Sequence, residues 1–407
     1  MNRYNRPGTS RSRQRALRKR RLIAAGSALS AILVIVLVIA LLPKGGEQDR
    51  EVDAVPAVED VAVTEAPETE TAEEGAQNTA EEAAVQSTPQ PAIQSDAAEA
   101  ARRAQTRPTP TAAGFMPVFS KANTDEKIIA ITVDDCNQAN NLEQIVNKAL
   151  EVGGKLTIFP IGENVLKEKQ SQILKYAWEN GFELENHTFT HNGLFYATNE
   201  ELAEEVYKQQ LALSSILGVE YQCHFLRPRG GDARGDQRMQ MYAKQMGYYG
   251  IAHWSVSGSA SKSKIAQGLG PGAIFLFHTT DKDLEKLLQF IPWAVEQGYQ
   301  LVTLNEMFGY PANETSELIT PIEEHVIPPL EPYEMVYVTL KKRTFNWEAY
   351  LLQEKLIELG YLTGEPDGEY GEGSEAAIKA YQKDHGLEQN GVVDPDLART
   401  IIEGAEA

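Results

Sequence analysis

Two short clusters in this chain have the side chains and spacing to do chemistry. Asp134-Asp135 closes the apolar run Ile128-Ile129-Ala130-Ile131-Thr132-Val133, and about fifty residues later His187 and His191 bracket His187-Thr188-Phe189-Thr190-His191. One carboxylate with two imidazoles suits a divalent ion of borderline hardness, and a set of three protein ligands leaves coordination positions open for a water and a substrate oxygen. The second carboxylate is then available as a base. Taken singly each cluster is weak, because Asp-Asp is common in solvated turns and two His four apart simply share a helical face. Their joint placement is stronger: of seven His, His187, His191 and His278 all follow short apolar runs, the last ending Gly272-Ala273-Ile274-Phe275-Leu276-Phe277-His278. Strand ends of this kind are where α/β folds carry their chemistry.

Residues 120 to 310 resemble the NodB-type polysaccharide deacetylases, carbohydrate esterase family 4. The family's Thr-Phe-Asp-Asp-Gly appears as Thr132-Val133-Asp134-Asp135-Cys136, its His-Ser/Thr-x-x-His is intact from His187 to His191, and its Leu-x-His is intact as Leu276-Phe277-His278. Two motifs depart from the pattern. Arg-x-Pro-aromatic-Gly becomes Arg227-Pro228-Arg229-Gly230-Gly231, and the region that normally holds a carboxylate near a Trp reads Trp254-Ser255-Val256-Ser257-Gly258-Ser259-Ala260.

The resemblance implies that Asp135, His187 and His191 bind one divalent metal ion, zinc first, with cobalt, nickel or manganese as alternatives. It implies a catalytic set of Asp134 as base, Arg227 holding it ionised, and His278 as acid, with Gly230, Trp254 and Leu276 lining the substrate site. The chemistry is sound, since a divalent ion polarises a carbonyl and lowers the pKa of its water from about 15.7 toward about 7. A main-chain N–H in the Arg229-Gly230 loop is the expected oxyanion donor, because a backbone donor does not need the missing aromatic. With Ser257 and Ala260 where carboxylates are expected, His278 loses the partner that raises its pKa, and a slower acid step is predicted. Asp281 and Asp283 are the nearby substitutes.

The elements that must position these groups alternate. Apolar runs near 127–133, 155–160, 182–185, 223–227, 249–256, 273–278 and 299–303 read as strands, and amphipathic segments such as Asn199 to Leu217 and Leu284 to Gly298 read as helices between them. This βα repeat predicts an α/β fold with a parallel sheet, and the resemblance selects a distorted seven-stranded (β/α) barrel over residues 113–310. Cys136 and Cys223 make no disulfide framework; a contact between them and a pair of buried thiols are both open.

The flanks differ sharply in composition. Residues 1–21 carry nine Arg or Lys and no acid, and 22–42 are free of charge. A run of that length crosses about 30 Å of hydrocarbon, so one N-terminal transmembrane helix is predicted, with a cytoplasmic N-terminus and everything else outside the cell membrane. A cleaved signal peptide is the rival, but the run exceeds the usual 7 to 15 apolar residues of such signals. Residues 43–112 follow as an acidic tether with no means of forming a core, holding fifteen Asp or Glu and one Arg between 47 and 100. Since the first 21 residues contribute +9 to a net charge of −20, the remainder carries −29, which excludes nucleic acid as a partner.

After a proline-containing connector at 311–341, residues 342–404 form a second small domain. Leucines three and four apart and turns at Asp367-Gly368 and Asn390-Gly391 predict a small three-helix bundle. Tyr350-Leu351-Leu352-Gln353, Leu359-Gly360-Tyr361-Leu362, Asp367-Gly368-Glu369-Tyr370-Gly371 and Gly391-Val392-Val393-Asp394 resemble a peptidoglycan-binding domain, with Tyr361, Tyr370 and Tyr381 read as bundle core. The expectation is a membrane-anchored hydrolase that removes N-acetyl groups from cell-wall glycan, peptidoglycan first. The alternatives are a non-catalytic wall-binding protein with a decayed deacetylase domain, and a non-haem iron oxygenase using the same ligand set.

Overall fold

The computed structural model describes residues 97–110, 115–231 and 236–404. The expected transmembrane helix at 22–42 and nearly all of the tether lie outside these residues. The far end of the tether does not: Ala97–Ala104 is a helix whose Arg103 is buried, reaching the Glu306 carbonyl at 3.3 Å and Glu126 at 3.1 Å. Arg107 then donates to the carbonyls of Phe308 and Gly309 and stacks on Tyr310 at 3.7 Å. The stretch expected to be free up to residue 112 is therefore tied to residues 126 and 306–310, because its two arginines find carbonyl and carboxylate partners there.

The strands are β1 (Val118–Phe119), β2 (Ile128–Asp135), β3 (Thr157–Pro160), β4 (Glu183–Leu184), β5 (Val219–Tyr221), β6 (Phe225–Leu226), β7 (Gly250–Ala252), β8 (Val256–Ser257), β9 (Ile274–His278), β10 (Gln300–Leu301) and β11 (Thr315–Glu317). β2 is the axis, paired in parallel with β3 and β9, while β10 joins its lower end at Ile128 and Ile129. One sheet runs β4-β3-β2-β9-β8, a second runs β1-β7-β6, and a parallel bridge between Asn186 and Leu226 joins them. Seven strands thus follow one another as β8-β9-β2-β3-β4-β6-β7. β7 and β8 do not pair with each other; on that side β1, paired with β7, links the sheets through a bridge between Lys121 and Ala273, while the chain passes from β7 to β8 through His253-Trp254-Ser255. The single run expected at 249–256 is split at this point.

Strand alternation explains what lies inside. On β2, Ile129, Ile131 and Val133 pack outward under the helices, whereas Ile128 and Ala130 join Phe119, Phe159, Phe225 and Phe308 within the barrel. Continuing that inner face upward gives Thr132 and Asp134, so two apolar positions are followed by two polar ones as the strand nears its C-terminal end. Around the barrel lie helices Ala139–Glu151, Glu168–Glu179, Asn199–Leu217, Gln237–Gln245 and Asp281–Glu296. The third keeps its predicted bounds because Thr198 and Glu201 form a capping box and Gly218 ends it at φ 74°.

The C-terminal domain is a bundle of Trp347–Glu358, Glu372–Asp384 and Pro395–Glu403 around Leu352, Leu356, Tyr370, Ile378 and Ile401. The connector before it is not free. β11 pairs antiparallel with β5, the Tyr242 hydroxyl donates to the Pro328 carbonyl at 2.8 Å, and Gln237 bonds both main-chain groups of Val336. Glu348, at the first turn of the bundle, is fully buried with neither carboxylate oxygen hydrogen-bonded, and burial pushes its carboxyl up to about 8.

Candidate metal centre and catalytic site

The site is built on backbone that ordinary residues avoid. Of the five non-glycine residues with positive φ among the described residues, four are here: Asp135 (70°), Cys136 (59°), Thr188 (63°) and His191 (59°). Left-handed geometry at such positions costs roughly 1–3 kcal/mol each and persists only where the surroundings enforce it. The enforcement is visible. Cys136 N–H bonds the Asp134 carbonyl at 2.9 Å, and the Asn164 amide holds the Asp135 carbonyl at 2.7 Å and Asn137 Oδ1 at 2.9 Å. On the histidine loop, Thr188 N–H bonds Asn186 Oδ1 at 2.9 Å, and Glu205 accepts the N–H groups of Phe189 and Thr190 at 3.0 and 2.8 Å.

These turns bring the three expected ligands together. Donor atoms of Asp135, His187 and His191 all lie within 4.8 Å of one another, with Asp135 Oδ1 3.2 Å from His187 Nε2 and 3.5 Å from His191 Nε2. The second ring nitrogen of His187 meets the Arg227 carbonyl, which keeps the Nδ1–H tautomer and points the Nε2 lone pair into the cluster. Asn137 steadies the other Asp135 oxygen at 3.2 Å. Burial raises the Asp135 carboxyl, but the His187 hydrogen bond and the neighbouring imidazoles outweigh it and hold it below its ordinary value. Burial, then His187, lowers His191. A neutral imidazole and an ionised carboxylate are the ligating forms, so this donor set fits a divalent ion.

Asp134 sits beside the cluster, 3% exposed, and accepts from Arg227 Nη1 at 2.7 Å. Arg227 is itself fully buried. It also donates to Thr132 Oγ1 (2.7 Å) and to the carbonyls of His253 (3.1 Å) and Ala252 (3.3 Å), with Phe159 packed against the guanidinium at 4.1 Å. Burial draws its pKa down and Asp134 pulls it back. The interruption of the strand between β7 and β8 is thus explained, because the carbonyls of Ala252 and His253 accept from the guanidinium.

His278 lies next to Asp134 in the β2–β9 register. Its Nδ1 is 3.3 Å from Asp283 Oδ2, the oxygen that also accepts the His278 N–H at 2.9 Å. Asp283 is the third residue of a helix capped by Thr280, which turns its carboxylate back toward the strand end. That hydrogen bond comes first among the causes that raise the His278 pKa; burial opposes it, and the Asp134 and Asp135 charges add to it. The expected loss of a partner is therefore corrected: Ser257 bonds Ser259 at 2.8 Å instead, and Asp283 replaces the missing carboxylate. Asp281 is committed elsewhere, to Asn141 at 2.8 Å.

Of the expected substrate-lining residues, Gly230 is exposed at φ 67°, Trp254 is half-buried, and Leu276 is 5% exposed on β9 beside Ser257. His253 was not anticipated: its ring stacks on Trp254 at 4.1 Å. It packs so closely on Gly231 that an added Cβ there would lie 3.0 Å from it. Cys136 and Cys223 are free and buried, and burial raises both thiols well above their ordinary range.

Residues 121–251 match the family model for polysaccharide deacetylases. All three residues of the cluster lie within that match. Residues 348–401 match the putative peptidoglycan binding domain. A peptidoglycan-N-acetylglucosamine deacetylase of Bacillus cereus is 27% identical over 193 residues, 44% of this chain and 68% of that protein. The Listeria monocytogenes enzyme of the same name is 27% identical over 48% of this chain and 41% of its own length. A Bacillus subtilis peptidoglycan-N-acetylmuramic acid deacetylase is 24% identical over 47% and 41%. Among solved structures, a peptidoglycan N-acetylglucosamine deacetylase is 25% identical over 48% of this chain and 94% of that one, at a TM-score of 0.42. A family 4 pseudoenzyme of Bacillus anthracis is 19% identical at 0.41, over 47% and 68%. The chain spans about two fifths of the length of the Listeria and Bacillus subtilis relatives.

Proposed function

We propose that this protein hydrolyses N-acetyl groups on peptidoglycan, releasing acetate and leaving a free amine. The observation that carries this is the pairing of a three-donor cluster with Asp134, a buried carboxylate pinned by the Arg227 guanidinium, and with the His278–Asp283 pair on the adjoining strand. Asp135, His187 and His191 would hold one divalent ion, zinc in our reading, which when bound supplies Lewis acidity toward the amide carbonyl and an acidified water. Asp134, held in place by the Arg227 guanidinium, accepts the proton of the attacking water. The Arg229-Gly230 main chain, in the exposed turn beside Trp254, donates to the developing oxyanion. His278, protonated through its bond to Asp283, delivers a proton to the departing nitrogen, and the C–N bond breaks.

The remaining parts give the reaction its address. The C-terminal bundle holds peptidoglycan, which raises the effective concentration of an insoluble substrate at the metal centre. Residues 22–42 anchor the chain in the cell membrane by a single span, with the catalytic and binding domains on the outer side. The N-acetylglucosamine unit is the first candidate substrate and N-acetylmuramic acid the second.

Acetate release from purified peptidoglycan tests this, with Asp134→Asn as the paired control and chelator as the metal control. Release that requires both Asp134 and a divalent ion supports the reading. No release by the parent with any divalent metal leaves a wall-binding protein.

A further inference from the structure

The loop that leaves the metal centre does not return directly to the barrel. Four and five residues after His191 come Phe195 and Tyr196, and both pack on the C-terminal bundle. Phe195 stacks on Phe345 at 4.7 Å and meets Trp347 and Tyr350 edge-on at 6.0 and 6.2 Å. Trp347 and Tyr350 lie face to face at 4.8 Å, and Tyr196 reaches Tyr350 at 6.1 Å. Polar bonds fasten the same seam. The Tyr196 hydroxyl donates to the Asp367 carbonyl at 2.9 Å, and Arg238, paired with Asp236 at 2.8 Å, donates to the carbonyls of Phe195 and Ala197. Arg238 also lies 3.6 Å from the face of Trp347, and Gly368 fits so closely that an added Cβ would come within 2.5 Å of Phe195.

Packing accounts for Phe195, which is buried, but not for its neighbours. Among the described residues the large exposed aromatic side chains are Tyr176, Tyr196 and Phe345, and the last two, about half exposed, stand on this one seam. Glu354 and Glu365 lie beside the Tyr350 hydroxyl. Half-open aromatic faces rimmed by carboxylates match the two sides of a pyranose, whose C–H face lies on a ring and whose hydroxyls donate to an acidic oxygen. With Tyr196 five positions along the chain, its Cα stands at most ~18 Å from that of His191, within the span of a short oligosaccharide.

We propose that Tyr196, Phe345 and Tyr350, backed by Trp347, form a sugar-stacking platform that belongs to neither domain alone. It grips the same glycan strand whose N-acetyl group lies at the metal centre, several sugar units away. The proposal rests on the deacetylase reading for the identity of its ligand. It predicts a dependence on chain length: a strand long enough to cover both places is held at both, and a disaccharide at the metal centre is held at one.

The test uses the whole protein with two soluble probes, the dimer and the hexamer of β-1,4-linked N-acetylglucosamine, against Tyr196→Ala, Phe345→Ala and the conservative Tyr196→Phe. Hexamer affinity by calorimetry should fall roughly tenfold in each Ala variant and stay unchanged in Tyr196→Phe. KM for the hexamer should rise to match, with kcat and the dimer KM unaltered. Equal hexamer affinity in the parent and both Ala variants would overturn the platform, as would an equal loss for dimer and hexamer. Hexamer binding that depends on the platform with no acetate released would leave the platform standing and refute the deacetylase reading alone.

Discussion

Removing the Arg227 guanidinium is the sharpest probe of the arrangement. Arg227→Met keeps most of the buried stem and deletes four hydrogen bonds, those to Asp134, Thr132, Ala252 and His253. The largest loss is electrostatic. Asp134 is 3% exposed, and the His187 imidazole stands 3.7 Å from it, beyond hydrogen-bond range. Stripping a buried carboxylate of its partner costs about 3–5 kcal/mol. At about 2–4 °C per kcal/mol for a unit of this size, Tm should fall by about 6–20 °C. Asp134→Asn/Arg227→Met removes the stranded charge, and replacing both members of a buried pair is often close to neutral, so the double variant should recover at least half of the loss. Thermal unfolding of the parent, both single variants and the double, followed by circular dichroism in chelator so that no added cation compensates, measures the cycle. A loss under about 1 kcal/mol in Arg227→Met, or a double variant no more stable than Arg227→Met, would refute the view of Arg227 as the counter-charge of Asp134.

Further outcomes follow from the same geometry. Because Asp283 raises the His278 pKa, the imidazolium survives to higher pH than an ordinary His; Asp283→Asn should move the alkaline limb of kcat/KM to lower pH and slow acetate release, read from a pH–rate profile. Asn137→Ala removes a bond that orients Asp135 and should weaken metal affinity by about 10–100-fold, measured by competition with a chromogenic chelator. Glu348 is protonated in the folded state up to about 8 but ionises near 4.5 when unfolded, so between those values the unfolded chain binds fewer protons and stability falls as pH rises. Glu348→Gln should flatten that slope and gain about 3 kcal/mol at pH 7, checked by urea unfolding at pH 5 and pH 7.

Much of the site was legible because its signals are local. Asp134, Asp135, His187 and His191 close or follow apolar runs, and a strand's two-residue period then determines which of Thr132, Val133 and Asp134 face inward. The helix Asn199–Leu217 was bounded correctly because its cap residues lie in the sequence itself. What was not legible depends on tertiary partners. Nothing in Trp254-Ser255-Val256-Ser257 announces a break, which exists because Arg227 takes the His253 carbonyl. The choice between Asp281 and Asp283 turned on Asn141, a residue 140 positions upstream of Asp281. β11, Thr315-Ser316-Glu317, is exposed along its whole length, so it carries no hydrophobic alternation and is a strand only because β5 is there to pair with it. Phe345, Trp347 and Tyr350 carry no sequence signal for their packing on Phe195, a residue far upstream in the chain.

The clasped connector has a bearing on how this protein would respond to a protease. Its most exposed apolar residues, Ile319 and Val326, are the natural points of attack. Yet the chain is pinned on both sides of them, by β11 against β5 before and by Pro328 and Val336 after, with the aromatic seam beyond. A nick there would leave two fragments that still migrate together until denatured. Separating the C-terminal bundle from the barrel would then require unfolding as well as cleavage.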